Sequence, residues 1–371
     1  MQEKLMKRTD AAPAGRKAES RNTYYRIGLA AAALGALILM SCSQDPIFAA
    51  IEKEVKLKEP SLRGDITSLV AVDGSLYAAN GFLYKRTGGA GDWESVSTGG
   101  GDRCAMVATD GTHLYILCTD YDGENGVVRR LNGETWETVT DISDVVYLSS
   151  GSGGVFAFTG SDDSYTAHRI TVPPAVTALA SGLSTPVGSA ALAVSDYFAT
   201  TGGVYTAAGA LVAGSPTGIR GITTNGTDIY VMTKGDLYRY DTNTSSWTNT
   251  GHSVTEPSGI AWLGGSSGKS LILISGASGF GEVVVDSATG ALQSFQNPGD
   301  NDSSSIPPAH KTQYENSLDK WAVYRIFAVT SDTVTNSLHT PYALYASVAD
   351  PNYNGLWSFY PSADSPNWNR E

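Results

Sequence analysis

The stretch G-T-H-L-Y-I-L-C-T-D (111–120) places a histidine, a cysteine and an aspartate within eight residues, and Cys104 precedes it. Imidazole, thiolate and carboxylate groups are common zinc ligands and common partners in nucleophilic catalysis. However, Leu114, Ile116 and Cys118 alternate with other residues, which is typical of a β-strand with one buried face. We therefore interpret this stretch as a strand with a structural cysteine rather than as a site.

The two cysteines flank a D-G turn and are candidates for a disulfide. If the loop is Asp110-Gly111-Thr112, then Thr109 faces His113 and Cys104 lies directly opposite Cys118. Opposed residues of an antiparallel pair bring their Cβ atoms to roughly 4.5–5.5 Å, near disulfide reach. A two-residue loop would shift this register by one. The sequence predicts either a disulfide or two buried thiols in adjacent strands.

Other candidates for chemistry are sparse. The loop T-D-Y-D-G-E-N-G (119–126) gathers Asp120, Asp122 and Glu124, a weak Ca²⁺ candidate, but Gly123 comes too early for an EF-hand loop. A solvated turn is the better interpretation. The five histidines show no metal-binding spacing and none lies beside a nucleophile. We predict no metal site, no cofactor and no assigned catalytic residue.

The chain contains an internal sequence repeat, and the repeated elements must position any functional site. The segments A-V-D-G-S-L-Y (71–77), A-T-D-G-T-H-L-Y (108–115) and T-T-N-G-T-D-I-Y (223–230) share a tight turn followed by an apolar–Tyr pair, and weaker copies fill the rest of the chain. Each copy is followed by a second strand pattern and often by a third that carries Trp. Four strands recurring about every 40 residues are the signature of a β-propeller.

The fold class is therefore predicted to be all-β, a propeller of seven four-stranded blades over residues 63–371. Residues 292–313 are expected to form a linker before the last blade, and residues 330–341 an insertion within it. The first strands of the blades should face the central channel, and their beginnings place Asp65, Arg103, Asp144 and Arg220 there. These four residues are the predicted charged channel lining, and an enzyme would need such groups to converge.

The first 41 residues indicate export. A basic segment precedes the uncharged run I-G-L-A-A-A-A-L-G-A-L-I-L-M (27–40), which is too short for a membrane-spanning helix and matches the apolar core of a secretory signal. The following L-M-S-C (39–42) resembles the lipobox of bacterial lipoproteins. The resemblance implies cleavage before Cys42, acylation of that cysteine and attachment to a membrane.

Residues 42–62 are expected to form a tether between this anchor and the propeller, so the predicted domains are 1–41, 42–62 and 63–371. The lipobox, the tether S-Q-D-P-I-F-A-A-I-E-K-E-V-K-L-K-E-P-S-L-R-G and the G-x-L-Y strands together resemble spirochaetal β-propeller lipoproteins of undefined function. The resemblance implies the fold and the anchor and carries no catalytic residues with it.

Charge and fold together narrow the function. The chain carries a net charge of −12, and removal of the basic leader leaves −16, which opposes nucleic-acid binding. We expect a lipid-anchored protein of the bacterial cell envelope, at the outer membrane, that acts as a binding or assembly scaffold for an envelope protein partner. The alternatives are a propeller enzyme, such as a lyase or glycan-acting hydrolase with a channel site, and a surface adhesin or glycan-binding module. The sequence favours a non-enzymatic scaffold.

Overall fold

The computed structural model divides into two compact units, Met1–Leu57 and Lys58–Glu371, and all described residues belong to the second. The described residues are 62–87, 92–100, 102–192, 195–253, 256–264, 269–286, 289–296, 318, 321–330, 342–351, 353–360 and 367–371. The predicted signal peptide, Cys42, nearly all of the tether and the insertion 331–341 lie outside them. No helix in the described ranges has the length and apolarity needed to cross a membrane.

The described residues form strands and turns, without helix, in seven antiparallel sheets. Blade 1 contains β1 (Ser68–Val72), β2 (Ser75–Ala79), β3 (Leu83–Thr87) and β4 (Glu94–Val96). Blade 2 contains β5 (Arg103–Thr109), β6 (Leu114–Thr119), β7 (Val127–Asn132) and β8 (Thr135–Thr138). Blade 3 contains β9 (Val145–Ser149), β10 (Gly154–Ser161), β11 (Ser164–Thr171) and β12 (Ala175–Leu183). Blade 4 contains β13 (Pro186–Ala191), β14 (Asp196–Thr200) and β15 (Gly203–Thr206).

The remaining blades follow the same order along the chain. Blade 5 contains β16 (Ile219–Thr224), β17 (Asp228–Thr233), β18 (Asp236–Asp241) and β19 (Ser246–Ser253). Blade 6 contains β20 (Pro257–Leu263), β21 (Lys269–Gly276), β22 (Gly279–Asp286) and β23 (Leu292–Gln296). Blade 7 contains β24 (Val323–Thr330), β25 (Tyr342–Val348), β26 (Gly355–Tyr360) and β27 (Asn367–Arg370). The first strand of each blade contacts the first strand of the next, and β24 contacts β1, so the sheets form a closed seven-bladed β-propeller.

The tight turns of the repeat are of two structural kinds. In blade 1, Asp73 and Gly74 both have positive φ, at 48° and 67°, and form a two-residue hairpin. In blades 2 and 5 the loop has four residues, and a side chain at its start holds it together. The Oδ1 atom of Asp110 accepts hydrogen bonds from the backbone of Thr112 and His113, and that of Asn225 does the same two and three residues later.

The aromatic or apolar marker of each repeat lies on the second strand and packs in the core between blades. All seven markers are buried: Tyr77, Tyr115, Phe156, Phe198, Tyr230, Ile272 and Tyr345. In four blades the residue directly opposite the marker on the third strand is basic. These cross-strand pairs are Tyr77–Lys85, Tyr115–Arg130, Phe156–Arg169 and Tyr230–Arg239. The repeat is therefore a packing repeat, since the markers fill the interfaces between sheets.

Two details differ from the predicted blade pattern. Residues 292–296, expected to begin a linker, form β23, the outer strand of blade 6, because the turn at Gly290 (φ 68°) returns the chain to the sheet. In blade 4 the described residues form three strands, and only an isolated bridge between Tyr205 and Leu211 stands at the fourth position. The rest of the predicted linker, residues 297–313, lies outside the described residues.

Candidate functional site

A β-bulge interrupts the first strand of blades 2 to 7 at the same point. In each of these strands one residue near the start has no partner on the second strand, and the register shifts by one there. The unpaired residues are Ala105, Val146, Val187, Arg220, Ser258 and Tyr324. A bulge bends its strand and re-aims the side chain it carries. These six residues, here called the bulge ring, surround one mouth of the channel because all first strands begin at that end.

The face of the propeller at this mouth, here called the entrance face, carries most of the exposed apolar side chains. Val146 and Tyr324 of the bulge ring are both 48% exposed. The turns between second and third strands lie on the same face, since neighbouring strands are antiparallel. These turns carry Phe82 in blade 1 and Tyr121 in blade 2, which are 64% and 84% exposed. The entrance face thus holds four of the six large apolar side chains that are exposed in the described residues.

Hydroxyl groups join the first strands of neighbouring blades. The Thr67 hydroxyl donates to the carbonyl of Ala105 at 2.5 Å, and the Tyr147 hydroxyl donates to the carbonyl of Val187 at 2.6 Å. Both acceptors belong to the bulge ring, where the ladder of backbone hydrogen bonds is broken. A buried carbonyl without a partner is costly, so the hydroxyls stabilise the bulges and connect blade 1 to blade 2 and blade 3 to blade 4.

Next to the bulge ring, the channel contains a cavity of about 260 Å³ lined by the first strands of all seven blades. Its charged residues, among those described, are Arg220 and Arg325. The Arg325 side chain lies near the hydroxyl of Tyr147, which belongs to blade 3 and so not to a neighbouring blade. Burial raises the pKa of Tyr147, and the positive charge of Arg325 offsets part of that rise.

The four residues predicted to line the channel do not come together. Arg220 lines the cavity, whereas Asp65 and Arg103 line a separate pocket of about 410 Å³ between blades 1 and 2. Asp144 is exposed, and its Oδ2 atom accepts a hydrogen bond from the Ser143 hydroxyl at 3.0 Å. Arg103 and Asp144 each precede the bulged residue of their blade by two positions. Neither side chain lines the cavity.

The sequence interpretation missed Arg325 and Tyr147 as cavity residues. A sequence signal for the position of the bulge exists in the first strands of three blades, where a glycine directly follows the bulged residue. The three segments are I-R-G (219–221), P-S-G (257–259) and P-V-G (186–188). A side chain at Gly221 would come within 2.8 Å of Ile260, so blade packing explains the glycine. Aligning V-Y-R (323–325) with these triplets would have placed Arg325 just after its bulge.

The predicted position of Cys104 opposite Cys118 is present, but the loop differs from the predicted one. Thr109 faces Leu114 and not His113, because Asp110 organises a loop of four residues. The bulge at Ala105 then shifts the register back, so that Cys104 and Cys118 are partners. Both are buried free thiols in the structure, and burial raises the pKa of Cys118 to about 11. The disulfide stays a prediction that titration of free thiols in denatured, unreduced protein would test.

The acidic loop of blade 2 is held together by its own hydrogen bonds. Asp120 accepts from the backbone of Glu124 at 2.7 Å and from the side chain of Asn125 at 2.8 Å. These bonds lower the pKa of Asp120, with the Asn125 bond contributing most. Within the described ranges, no three His, Cys, Asp or Glu side chains converge as a metal ion would require. Asp120 is thus engaged within its own loop, and calcium binding by Asp120, Asp122 and Glu124 stays a weak prediction.

Comparison with known proteins identifies the family of this chain. The model of the TP013X lipoprotein family matches residues 17–371. The chain belongs to the TP013X lipoprotein family. An uncharacterized lipoprotein of Treponema pallidum (strain Nichols) is 26% identical over 377 residues, covering 91% of this chain and 95% of the relative. A second lipoprotein from that strain is 28% identical over 401 residues, covering 91% and 97%.

These relatives confirm the resemblance to spirochaetal propeller lipoproteins. Membership of the TP013X family implies membrane anchoring at the cell envelope. Among solved structures, the extracellular domain of BT4673 from B. thetaiotaomicron matches with a TM-score of 0.52 and 15% identity. The match covers 83% of this chain and 40% of that one. At this identity the structural match supports the propeller fold alone.

Proposed function

We propose that this family member is an outer-membrane lipoprotein that uses the entrance face to dock a partner protein of the envelope. The observation that carries the proposal is the concentration of Phe82, Tyr121, Val146 and Tyr324 on this one face. Aromatic residues and arginine are enriched in protein interfaces, and clustered exposed apolar surface marks binding sites. By contrast, the exposed Val172 lies in a turn between third and fourth strands, on the opposite face.

Arg103 adds a polar anchor to this surface. Its guanidinium carbon lies 5.6 Å from the centre of the Tyr121 ring, and its Nη1 atom donates to the Tyr121 carbonyl at 3.1 Å. This contact holds the most exposed of the aromatic side chains in place and lowers the entropy that binding would cost. An aromatic side chain beside an arginine suits a protein surface with carboxylates and apolar side chains.

Site-specific photocrosslinking in native membranes tests the proposal. A photoreactive residue at position 121 or 324 should give one discrete crosslinked envelope protein, and the same residue at Val172 should give none. Tyr121→Ser combined with Phe82→Ser should abolish the product formed from position 324. Equal crosslinking from both faces, or none from the entrance face, would exclude the docking role. Membrane fractionation and protease shaving of whole cells test the outer-membrane location.

A further inference from the structure

Ten arginines lie in the described residues, and they differ in whether a carboxylate pairs with them. Five have a carboxylate partner within 2.8 Å: Arg86 with Glu371, Arg129 with Asp102, Arg130 with Glu137, Arg169 with Asp196 and Arg239 with Asp228. Arg220 and Arg325 form no ion pair with any described residue, although acidic residues outnumber basic ones in the chain. Both of these arginines line the same cavity. Two positive charges in one cavity, without a counter-charge, point to an anionic ligand.

Several hydroxyl groups of the cavity donate to groups within the protein. The Tyr147 hydroxyl donates to the carbonyl of Val187, and the Ser189 hydroxyl donates to the carbonyl of Ser150. The Ser149 hydroxyl lies 2.7 Å from that of Ser189. The Ser68 and Ser150 hydroxyls each accept from a backbone N–H, and each hydroxyl has one proton of its own. The strongest donors for a ligand are therefore the charged N–H groups of the two guanidiniums.

A β-bulge orients one of these two arginines toward the cavity. Arg220 is the bulged residue of blade 5, so it has no partner on the second strand, and its exposed side chain reaches the mouth of the cavity. Arg325 directly follows the bulge of blade 7 and lines the cavity. The acids Asp144 and Glu256 precede their first strands and do not line the cavity. Arg220 thus lies at the mouth of the cavity, and Arg325 forms part of its wall.

We propose that this cavity binds a small oxyanion, a phosphate or a carboxylate, between the guanidinium groups of Arg220 and Arg325. A guanidinium presents paired N–H donors that match two oxygens of such a group. A neutral sugar fits the arrangement poorly, because it carries no charge to compensate the two guanidiniums. The anion site adjoins the docking surface, because Arg220 belongs to the bulge ring on the entrance face. Neither Phe82 nor Tyr121 lines the cavity, so the substitutions that test docking leave the anion site intact.

Calorimetric titration of the full-length protein in non-ionic detergent, at constant ionic strength, tests the proposal. The probes are inorganic phosphate, acetate and, as a neutral comparison, glucose. Phosphate or acetate should bind saturably with one ion per chain. Arg220→Gln should weaken binding by at least about tenfold, because a charge-assisted hydrogen bond is lost. Arg220→Lys, which keeps the charge and loses the paired donors, should have an intermediate effect.

Lys234→Gln is the matched control, since it removes one positive charge from an exposed position on the same face, in the same blade as Arg220, outside the cavity. The affinity of this variant for the anion should stay within about twofold of that of the original protein. The proposal is overturned if neither anion gives saturable heat up to about 10 mM. It is also overturned if Lys234→Gln weakens binding as much as Arg220→Gln, or if glucose gives equal heat. Unchanged thermal unfolding of Arg220→Gln would establish that lost binding does not reflect lost folding.

Discussion

The two interfaces of blade 7 bury ionisable groups in opposite ways. At the interface with blade 1, where the ring closes, the Glu371 carboxylate accepts hydrogen bonds from Arg86 at 2.7 Å and from the Trp93 indole at 2.9 Å. The hydroxyl of Ser358 also donates to it, and Arg86 donates in addition to Tyr345. Every charge at this closure has partners from both blades. The backbone of Leu62 adds hydrogen bonds to Leu356 and Glu371.

At the interface with blade 6, a single carboxyl lies in an apolar core. Glu282 on β22 alternates with Phe280 and Val284, which pack against Val348 and Trp357 of blade 7. Glu282 is fully buried, and neither of its carboxyl oxygens has a hydrogen-bond partner. Burial alone raises its pKa to about 8. The carboxyl is therefore largely protonated at neutral pH, since the site does not compensate a charge.

This difference teaches that burial alone does not decide what an ionisable side chain does for stability. A paired charge at the closure holds two blades together, and removing one member of the pair leaves the other charge buried without its partner. A lone carboxyl in a dry interface lowers stability whenever it must ionise. The following substitutions test this contrast.

Arg86→Ala should have the largest effect. It removes the cation between Glu371 and Tyr345 and leaves a carboxylate that is only 11% exposed without its strongest partner. Breaking a buried ion pair from one side costs about 3–5 kcal/mol. Chemical denaturation should show this loss in the free energy of unfolding, whereas Lys85→Ala on the same strand should cost about 1 kcal/mol or less. Equal losses for the two variants would contradict a special role for the closure.

Glu282→Gln should stabilise the protein, and the gain should grow with pH. In the unfolded chain the carboxyl ionises near its ordinary pKa of 4.5, while in the folded protein it stays protonated up to about pH 8. Between these values the unfolded state binds fewer protons, so the stability of the original protein falls as pH rises. Glutamine cannot ionise and removes that fall. We expect a gain of about 2–4 kcal/mol at pH 8 and little gain at pH 4.5.

Denaturation curves of both proteins between pH 4.5 and 9 measure this gain. The control is Glu137→Gln, because Glu137 is 43% exposed and bonds to Arg130 and Asn132. Its substitution should leave the slope of stability between pH 6 and 9 unchanged. A gain for Glu282→Gln that does not vary with pH would mean that the carboxyl has partners when ionised.

Cys118→Ser should have a smaller effect on stability than the two substitutions above, because it places a neutral hydroxyl, and not a charge, in a buried interface between blades. Cys118 is 1% exposed and packs with Val107, Leu114 and Cys104 between blades 1 and 2. A buried hydroxyl without a partner costs about 1–3 kcal/mol, less than a buried charge. Cys118→Ala removes the polar group, so the free energy of unfolding should fall less for alanine than for serine. The reverse order would indicate that packing, not polarity, controls this interface.

The sequence predicts blades well because the repeat is local. A D-G or N-G turn, an apolar–Tyr pair and a following strand all lie within about 25 residues, and each acts through neighbouring residues. The bulges are harder to predict, because a bulge is defined by how two strands pair and not by the sequence of one strand. Arg220 is a bulged residue and lines the channel cavity, whereas Arg103 and Asp144 precede the bulge of their strand by two positions and do not line it.

Contacts between side chains of different blades are equally difficult to predict from local sequence patterns. Arg86 meets Glu371 across 285 residues of sequence, and Glu282 faces a blade that begins about 40 residues later. Nothing in the sequence around Glu282 separates it from an exposed glutamate on an alternating strand, because its environment is set by blade 7. Periodicity thus predicts the sheets, and only the ring closure determines which charges become paired.

Tyr147→Phe should have the smallest effect and tests the contrast with an uncharged bridge. Its hydroxyl spans blades 3 and 4 through the carbonyl of Val187, as Arg86 spans blades 1 and 7, but this hydrogen bond joins two neutral groups. Removing a neutral hydrogen bond costs about 1 kcal/mol, and channel water can solvate the released carbonyl. Denaturation midpoints should fall accordingly, and Tyr121→Phe, whose ring is exposed, should show no change. A loss as large as that of Arg86→Ala would mean that hydroxyl bridges at the bulges, rather than the charged closure, hold neighbouring blades together.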